Sequence, residues 1–158
     1  MSPQEIQSAK TRLLGDLRAA VRYTPDQQAD LVAFMQQYIK EEPEQRPEIL
    51  KHIRSCMDGE PYPDPYAGRF PYTEADVDRC ERILDDYTAS MEVCDGSPRE
   101  IRQLVDTVTA EINQLNEACN RGLIDTWRRE QLCNFINGTA EMAGAKPGED
   151  MTLGQRMW

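Results

Sequence analysis

Glu48, His52 and Cys56 follow one another at intervals of four residues, which sets a carboxylate, an imidazole and a thiol on one helical face. These are metal-ligating residue types, but a tetrahedral site would need a further ligand from elsewhere. The paired Cys-x-x-Cys spacing of a zinc site is also absent. His52 is the only histidine, so any Ser–His or Cys–His nucleophile pair would have to use it. No serine stands in a Gly-x-Ser-x-Gly setting, and no glycine-rich phosphate loop occurs. The sequence therefore predicts no catalytic residue, metal or cofactor. Trp127-Arg128-Arg129-Glu130 brings two arginines into the first turn of a helix, an anion-binding arrangement that Asp125 and Glu130 are expected to neutralise.

Carboxylates are abundant enough, 28 against 18 lysines and arginines, that a mere pair of them carries no information. Their distribution does. Residues 1–58 hold nine acids and eight bases, whereas residues 73–158 hold seventeen and nine, so the second part carries nearly all of the formal charge of −10. Glu74, Asp78, Glu81, Asp85 and Glu92 are spaced four, three, four and seven apart, which gathers them into a narrow strip along one helix. Like charges four apart on a helix cost a few tenths of a kcal/mol per pair, roughly. Such a strip is either a solvated face or a surface that steers a basic partner. The same charge repels phosphate backbones and anionic lipid, so neither nucleic acid nor membrane is expected as a direct partner.

The elements that must position these residues are marked by their caps. Ser2-Pro3-Gln4-Glu5 and Ser97-Pro98-Arg99-Glu100 place a hydroxyl at the cap, proline at the first helical position and glutamate two residues on. Thr24-Pro25-Asp26-Gln27 repeats the scheme. Six helices follow from these signals and from apolar spacings of three and four. The first carries Ile6, Ala9, Leu13, Leu17 and Ala20; the second runs from Thr24 to before Pro43; a short third opens near Pro47 and ends at Gly59. The fourth, capped by Thr73, buries Val77, Cys80, Leu84, Tyr87 and Met91 and stops at Asp95-Gly96. The fifth starts at Ser97, with Gly122 as its left-handed stop, and the sixth carries Trp127, Cys133, Ile136 and Ala140 up to Gly144. The expected fold is all-α, a compact bundle of about six helices. It divides into an N-terminal part at 1–58, a connector at 59–72 and an acidic part at 73–158, with the tail at Met157-Trp158 folding back to dock.

The connector reads GEPYPDPYAGRFPY and holds four prolines and four aromatic rings in fourteen residues. Proline stiffens it towards an extended form, yet a plain spacer has no use for Tyr62, Tyr66, Phe70 and Tyr72. It is expected to be a strap packed across the helices, with Tyr66, Phe70 and Tyr72 forming an edge beside the acidic strip. The five cysteines are odd in number and fall mostly on apolar helix faces, which fits reduced thiols in a cytoplasmic protein better than a disulfide framework. No signal-peptide pattern or long apolar run is present.

The segment INQLNEACNRGLIDTWRREQLCNFI, Ile112–Ile136, resembles a family of small, uncharacterised bacterial helical proteins through Leu115, Asn116, Ile124, Thr126, Arg129 and Glu130, and the chain closes on Arg156-Met157-Trp158 as that family tends to. The resemblance spans about residues 66–158. It implies a small bacterial helical fold and no catalytic residue. Together these features lead to the expectation of a non-enzymatic, acidic protein-binding domain of immunity or antitoxin type that covers the working surface of a basic toxin. Its partner-binding residues would be Glu74, Asp78, Glu81, Asp85, Glu92, Tyr66, Phe70 and Tyr72. The alternatives are an adaptor acting through an apolar interface or self-association, and an enzyme with an unmarked pocket.

Overall fold

The computed structural model describes residues 1–22 and 72–158 continuously, and between them Gln36, Lys40, residues 43–48, Leu50 and Lys51. The protein is an all-α helical bundle. Met1–Arg22 and Phe70–Trp158 form one compact unit, and Tyr23–Arg69 a second. In the second, Pro43–Gln45 is a 3-10 turn, and Gln36, Lys40 and the described residues from Arg46 to Lys51 are helical. The Thr24 cap, His52, Cys56, and the strap residues Tyr62, Tyr66 and Phe70 lie outside the described residues.

The first unit consists of α1 (Pro3–Arg22), α2 (Glu74–Val93), α3 (Pro98–Ala118) and α4 (Thr126–Met142). Within this unit the chain returns at Tyr72 to build on α1. Helix α1 packs mainly on α4 and next on α2, while α2 packs on α3. Its apolar stripe, Ile6, Ala9, Leu13, Leu14 and Leu17, is almost wholly buried; Ala20, expected on the same stripe, is only half-buried. Gly138 of α4 allows a close helix approach, because a Cβ there would lie 2.7 Å from Ile6 Cγ1. Phe135, Leu132 and Ile136 of α4 meet Val77, Leu84 and Tyr87 of α2 and Val105 and Ile112 of α3 in one core.

The caps form with variations that local chemistry explains. At α1 the box closes both ways: the Ser2 N–H donates to Glu5 (2.7 Å) and the Glu5 N–H to the Ser2 hydroxyl (3.3 Å). At α3 the Ser97 hydroxyl accepts from the Glu100 N–H (3.3 Å), but Glu100 reaches past the cap to the N–H of Asp95 (2.7 Å), because Asp95 itself takes the Ser97 N–H (2.7 Å). Thr73 gives both its N–H and its hydroxyl to Asp76 (2.8 and 3.1 Å).

Two expectations are corrected. The left-handed stop after α3 is made by Asn120 (φ 51°) and Arg121 (φ 60°), not by Gly122. They tolerate it because the Arg121 N–H closes onto the Asn116 carbonyl (2.8 Å) and the Arg121 guanidinium onto Glu117 (2.6 Å). Trp127 does not join the buried face of α4; it is 42% exposed, and Arg128 turns inward instead. Gly96 and Gly144 do take left-handed backbone at the ends of α2 and α4.

The tail docks. Asp150 accepts from the Thr152 N–H and hydroxyl (3.1 and 2.7 Å), Asn137 (3.1 Å) and Arg156 (2.6 Å), and Arg102 donates to the Met151 carbonyl (2.8 Å). Met151 and Thr152 are buried, Trp158 packs against the core, and Met157 points out while its N–H bonds Asn113 (2.9 Å). Burial acts to raise the Asp150 pKa, but the bonds from Thr152, Asn137 and Arg156 outweigh it and hold the carboxyl below its ordinary 3.8. Folding therefore favours the ionised form, and this stabilisation is present above about pH 4 and lost as pH falls through the lower folded-state value. In a Trp127→Phe background, the emission of Trp158 is expected to hold steady from neutral pH to about 4 and to shift red below it. Asp150→Ala is expected to give the red shift already at neutral pH.

Candidate functional site

The acidic strip lies along α2, whose opposite side, Val77, Cys80, Leu84, Tyr87 and Met91, is buried as the spacing requires. The structure places the middle of the strip against the flank of α1. Arg18 of α1 bonds Asp78 (3.2 Å) and Glu81 through one guanidinium nitrogen, and Lys10, about two turns earlier on α1, pairs with Asp85. The Lys10 stem is buried, and its ammonium also lies 5.9 Å from the Phe135 ring centroid. The hydrogen bonds that Arg18 donates to Glu81 and Asp78 raise its pKa. Two cations thus answer three of the five carboxylates. Glu74 stands exposed in the first turn of α2, and Glu92 stands exposed in its last turn without a hydrogen-bond or ion-pair partner among the described residues.

Charges outside the predicted strip complete the acidic surface. Asp86 on α2 and Glu111 on α3 are exposed, lack an ion-pair partner among the described residues, and line one shallow hollow with Ser90 and Thr107. Asp86 follows Asp85 directly, which turns it by about 100° towards α3. A search confined to one helical line passes over it, and Glu111 becomes its neighbour only through the α2–α3 packing.

Of the predicted rings, Tyr72 is described, and it is 4% exposed. Its hydroxyl donates to the Leu17 carbonyl at 3.5 Å, and the Arg128 guanidinium carbon lies 5.6 Å from its ring centroid. Burial raises the Tyr72 pKa, with the Arg128 charge working against that. Arg128 in turn donates to Asp16 of α1 (2.7 Å) and to the Leu123 carbonyl (3.1 Å), with Asp125 at 3.8 Å. Asp125 does sit beside it, but the main counter-charge is Asp16, more than a hundred residues away in sequence. The Arg128 N–H also completes the Asp125 cap of α4 (2.8 Å).

A cleft of about 460 Å³ opens where the first turn of α1 meets the last turns of α2 and α4. Ile6, Met91, Phe135 and Met142 give it apolar walls, and Glu92 is the one charged residue among those lining it. Among the described residues no group of three or more His, Cys, Asp or Glu side chains converges to hold a metal ion, and no helix is long and apolar enough to cross a membrane. Cys80, Cys94, Cys119 and Cys133 are all free thiols. Burial pushes Cys80 up to about 12 and also raises Cys119, so both act as packing groups at neutral pH.

No protein-family model matches this sequence, and no curated protein or solved structure matches it.

The two ion pairs are alike in burial: the cations Arg128 and Lys10 are each 11% exposed, and the carboxylates Asp16 and Asp85 are 45% and 57% exposed. Arg128→Ala also removes a buried hydrogen bond to the Leu123 carbonyl and the packing over Tyr72, and is expected to lower the unfolding free energy by about 2–3 kcal/mol. Asp85→Asn keeps an oxygen acceptor for the Lys10 ammonium and is expected to cost about 0.5–1.5 kcal/mol. Urea unfolding of both variants checks the order.

Proposed function

We propose that this protein is a non-enzymatic acidic binding domain whose partner is a basic protein, in its most concrete form an immunity or antitoxin-type protein that occludes the working surface of a toxin. One observation carries the reading: α2 keeps more carboxylates than the cations that meet them, since Asp78 and Glu81 share a single arginine while Asp86, Glu92 and neighbouring Glu111 have none among the described residues. A field of this kind speeds encounter with a basic surface and disfavours acidic partners. Tyr66 and Phe70 would supply apolar anchors at its edge, and the family resemblance over residues 66–158 belongs to the same proposal. The adaptor reading rests on Val93, Met142, Leu153 and Met157, which are 60–85% exposed and offer apolar contact without charge.

Reversal of the strip residues that meet α1 would also loosen the fold, so the informative changes are elsewhere. Asp86→Lys, Glu92→Lys and Glu111→Lys together are expected to leave helix content unchanged and to cut the association rate with the basic partner by about tenfold or more at low salt. For the unaltered protein the rate is expected to fall steeply as ionic strength rises from about 0.05 to about 0.5 M. Partner capture that ignores both salt and the triple reversal would transfer the function to an apolar face.

A further inference from the structure

We infer that the cleft between α1, α2 and α4 is a binding site for a small organic amine, a cationic head on an apolar body. Its volume, about 460 Å³, falls in the range of small-molecule sites. Ile6, Met91, Phe135 and Met142 supply walls that favour a hydrocarbon or aryl body, and the unbranched methionines let those walls adapt. A hydrophobic walled site by itself says nothing about charge; three further observations do.

The first is Glu92, the only charged side chain lining the cleft and one with no hydrogen-bond or ion-pair partner among the described residues. The second is the direction of the helices. Helices α2 and α4 both end at the cleft, at Val93 and Met142, with the caps Cys94 and Ala143 in its lining. A helix C-terminus carries partial negative charge, and neither of these last turns contains a basic residue to offset it; at α4 the Thr139, Ala140 and Glu141 carbonyls are taken by the N–H groups of Ala143, Gly144 and Ala145, so the stronger negative end is that of α2. The third is the state of α1, which brings an N-terminal end to the same place. The positive groups nearby are already answered: the Ser2 N–H donates to the Glu5 carboxylate, the Met1 ammonium lies 3.8 Å from Glu141, and the Lys10 ammonium that lies over Phe135 pairs with Asp85. Glu92 and the end of α2 are therefore the unanswered negative charge at this site. Thr88 and Thr139 in the lining donate their hydroxyls to the carbonyls of Leu84 (3.0 Å) and Phe135 (2.8 Å), which leaves their oxygens as acceptors and so suited to an ammonium donor.

This inference shares Glu92 with the protein-partner reading but takes a different class of ligand, and the two are told apart by their readouts, association rate for the partner and methyl shifts with Cys94 reactivity for the amine. It is tested with the full chain and three probes of one shape: 4-phenylbutylamine, 4-phenylbutanol and 4-phenylbutanoate. The methyl signals of Met91 and Met142 and the rate at which Cys94 is alkylated, read on its own peptide by mass spectrometry, report occupancy. The amine is expected to shift both methyl signals saturably at about millimolar concentration and to slow alkylation of Cys94. It is expected to bind about tenfold more tightly than the carboxylate, with the alcohol between them. Glu92→Gln, an exposed change that keeps the fold, is expected to reduce that preference to about threefold, the remainder being due to the helix ends. Equal affinity for amine and carboxylate, a preference unchanged in Glu92→Gln, or methyl signals and Cys94 reactivity that none of the probes alters would each overturn the assignment.

Discussion

The guanidinium of Arg128 sits at the one point where distant parts of the chain must agree. It belongs to α4, yet it bonds Asp16 on α1, takes the Leu123 carbonyl of the α3–α4 connection and lies over the ring of Tyr72, the residue from which the chain leads into α2. Burial works against its charge, and the Asp16 hydrogen bond with the neighbouring Asp16 and Asp125 carboxylates outweighs it and raises the Arg128 pKa. A half-buried ion pair of this kind adds little net stability over a hydrophobic substitute, because desolvation consumes most of the attraction. What it adds is a penalty for wrong arrangements: any register in which α1 slides along α4 strands the charge. Apolar contact between Leu13, Leu17 and the α4 face fills space but tolerates such slippage far better.

The same logic applies to the acidic strip. Helix α1 lies about fifty residues upstream of α2, so closing the pair costs loop entropy before any contact forms. Leu13 and Leu17 return that cost through burial, while Arg18 and Lys10 fix which carboxylates they meet. Part of the strip is thus spent on assembling the fold, and the charge left for solvent moves to Glu92 and to the α3 side at Asp86 and Glu111. Self-repulsion along α2 is relieved where two carboxylates share Arg18, which removes a reason to expect the strip to be strained.

Helix positions and apolar faces were readable in the sequence because they depend on local spacing: Ser97, Thr73 and the Val77–Met91 stripe are where periodicity and capping put them. The partners of polar groups were not readable, because they are set by tertiary packing. Arg128 looked like half of an exposed arginine pair next to Asp125, and nothing in its neighbourhood pointed to Asp16. Asn116 reads in the sequence as one polar letter near the end of a helix; the fold shows its carboxamide oxygen accepting the N–H groups of Leu123 (3.2 Å) and Ile124 (3.1 Å), which fixes the connection into α4. A buried amide with two backbone partners is a requirement that spacing alone cannot reveal. That α1 meets the middle of the strip was not readable for a related reason, since a helical line of carboxylates reads the same whether water or another helix faces it.

Two ends of one helix therefore face different constraints. In its first three turns α2 is held by α1 cations, by its Thr73–Asp76 cap and by the buried Tyr72 that precedes it, so a change there is felt throughout the bundle. At its last turn no basic residue answers Glu92 or the terminal carbonyls, and Met91 presents its side chain to a cleft rather than to a close-packed neighbour on every side. Folding needs neither the free carboxylate nor the open cleft; Gly96 and Gly144 could turn the chain without them. An uncompensated negative helix end beside an apolar hollow is mildly unfavourable in the empty protein, and a cation with an apolar body relieves both costs at once. The end of α2 that the fold has left unused is therefore the one where the proposed ligand would meet the least competition from packing.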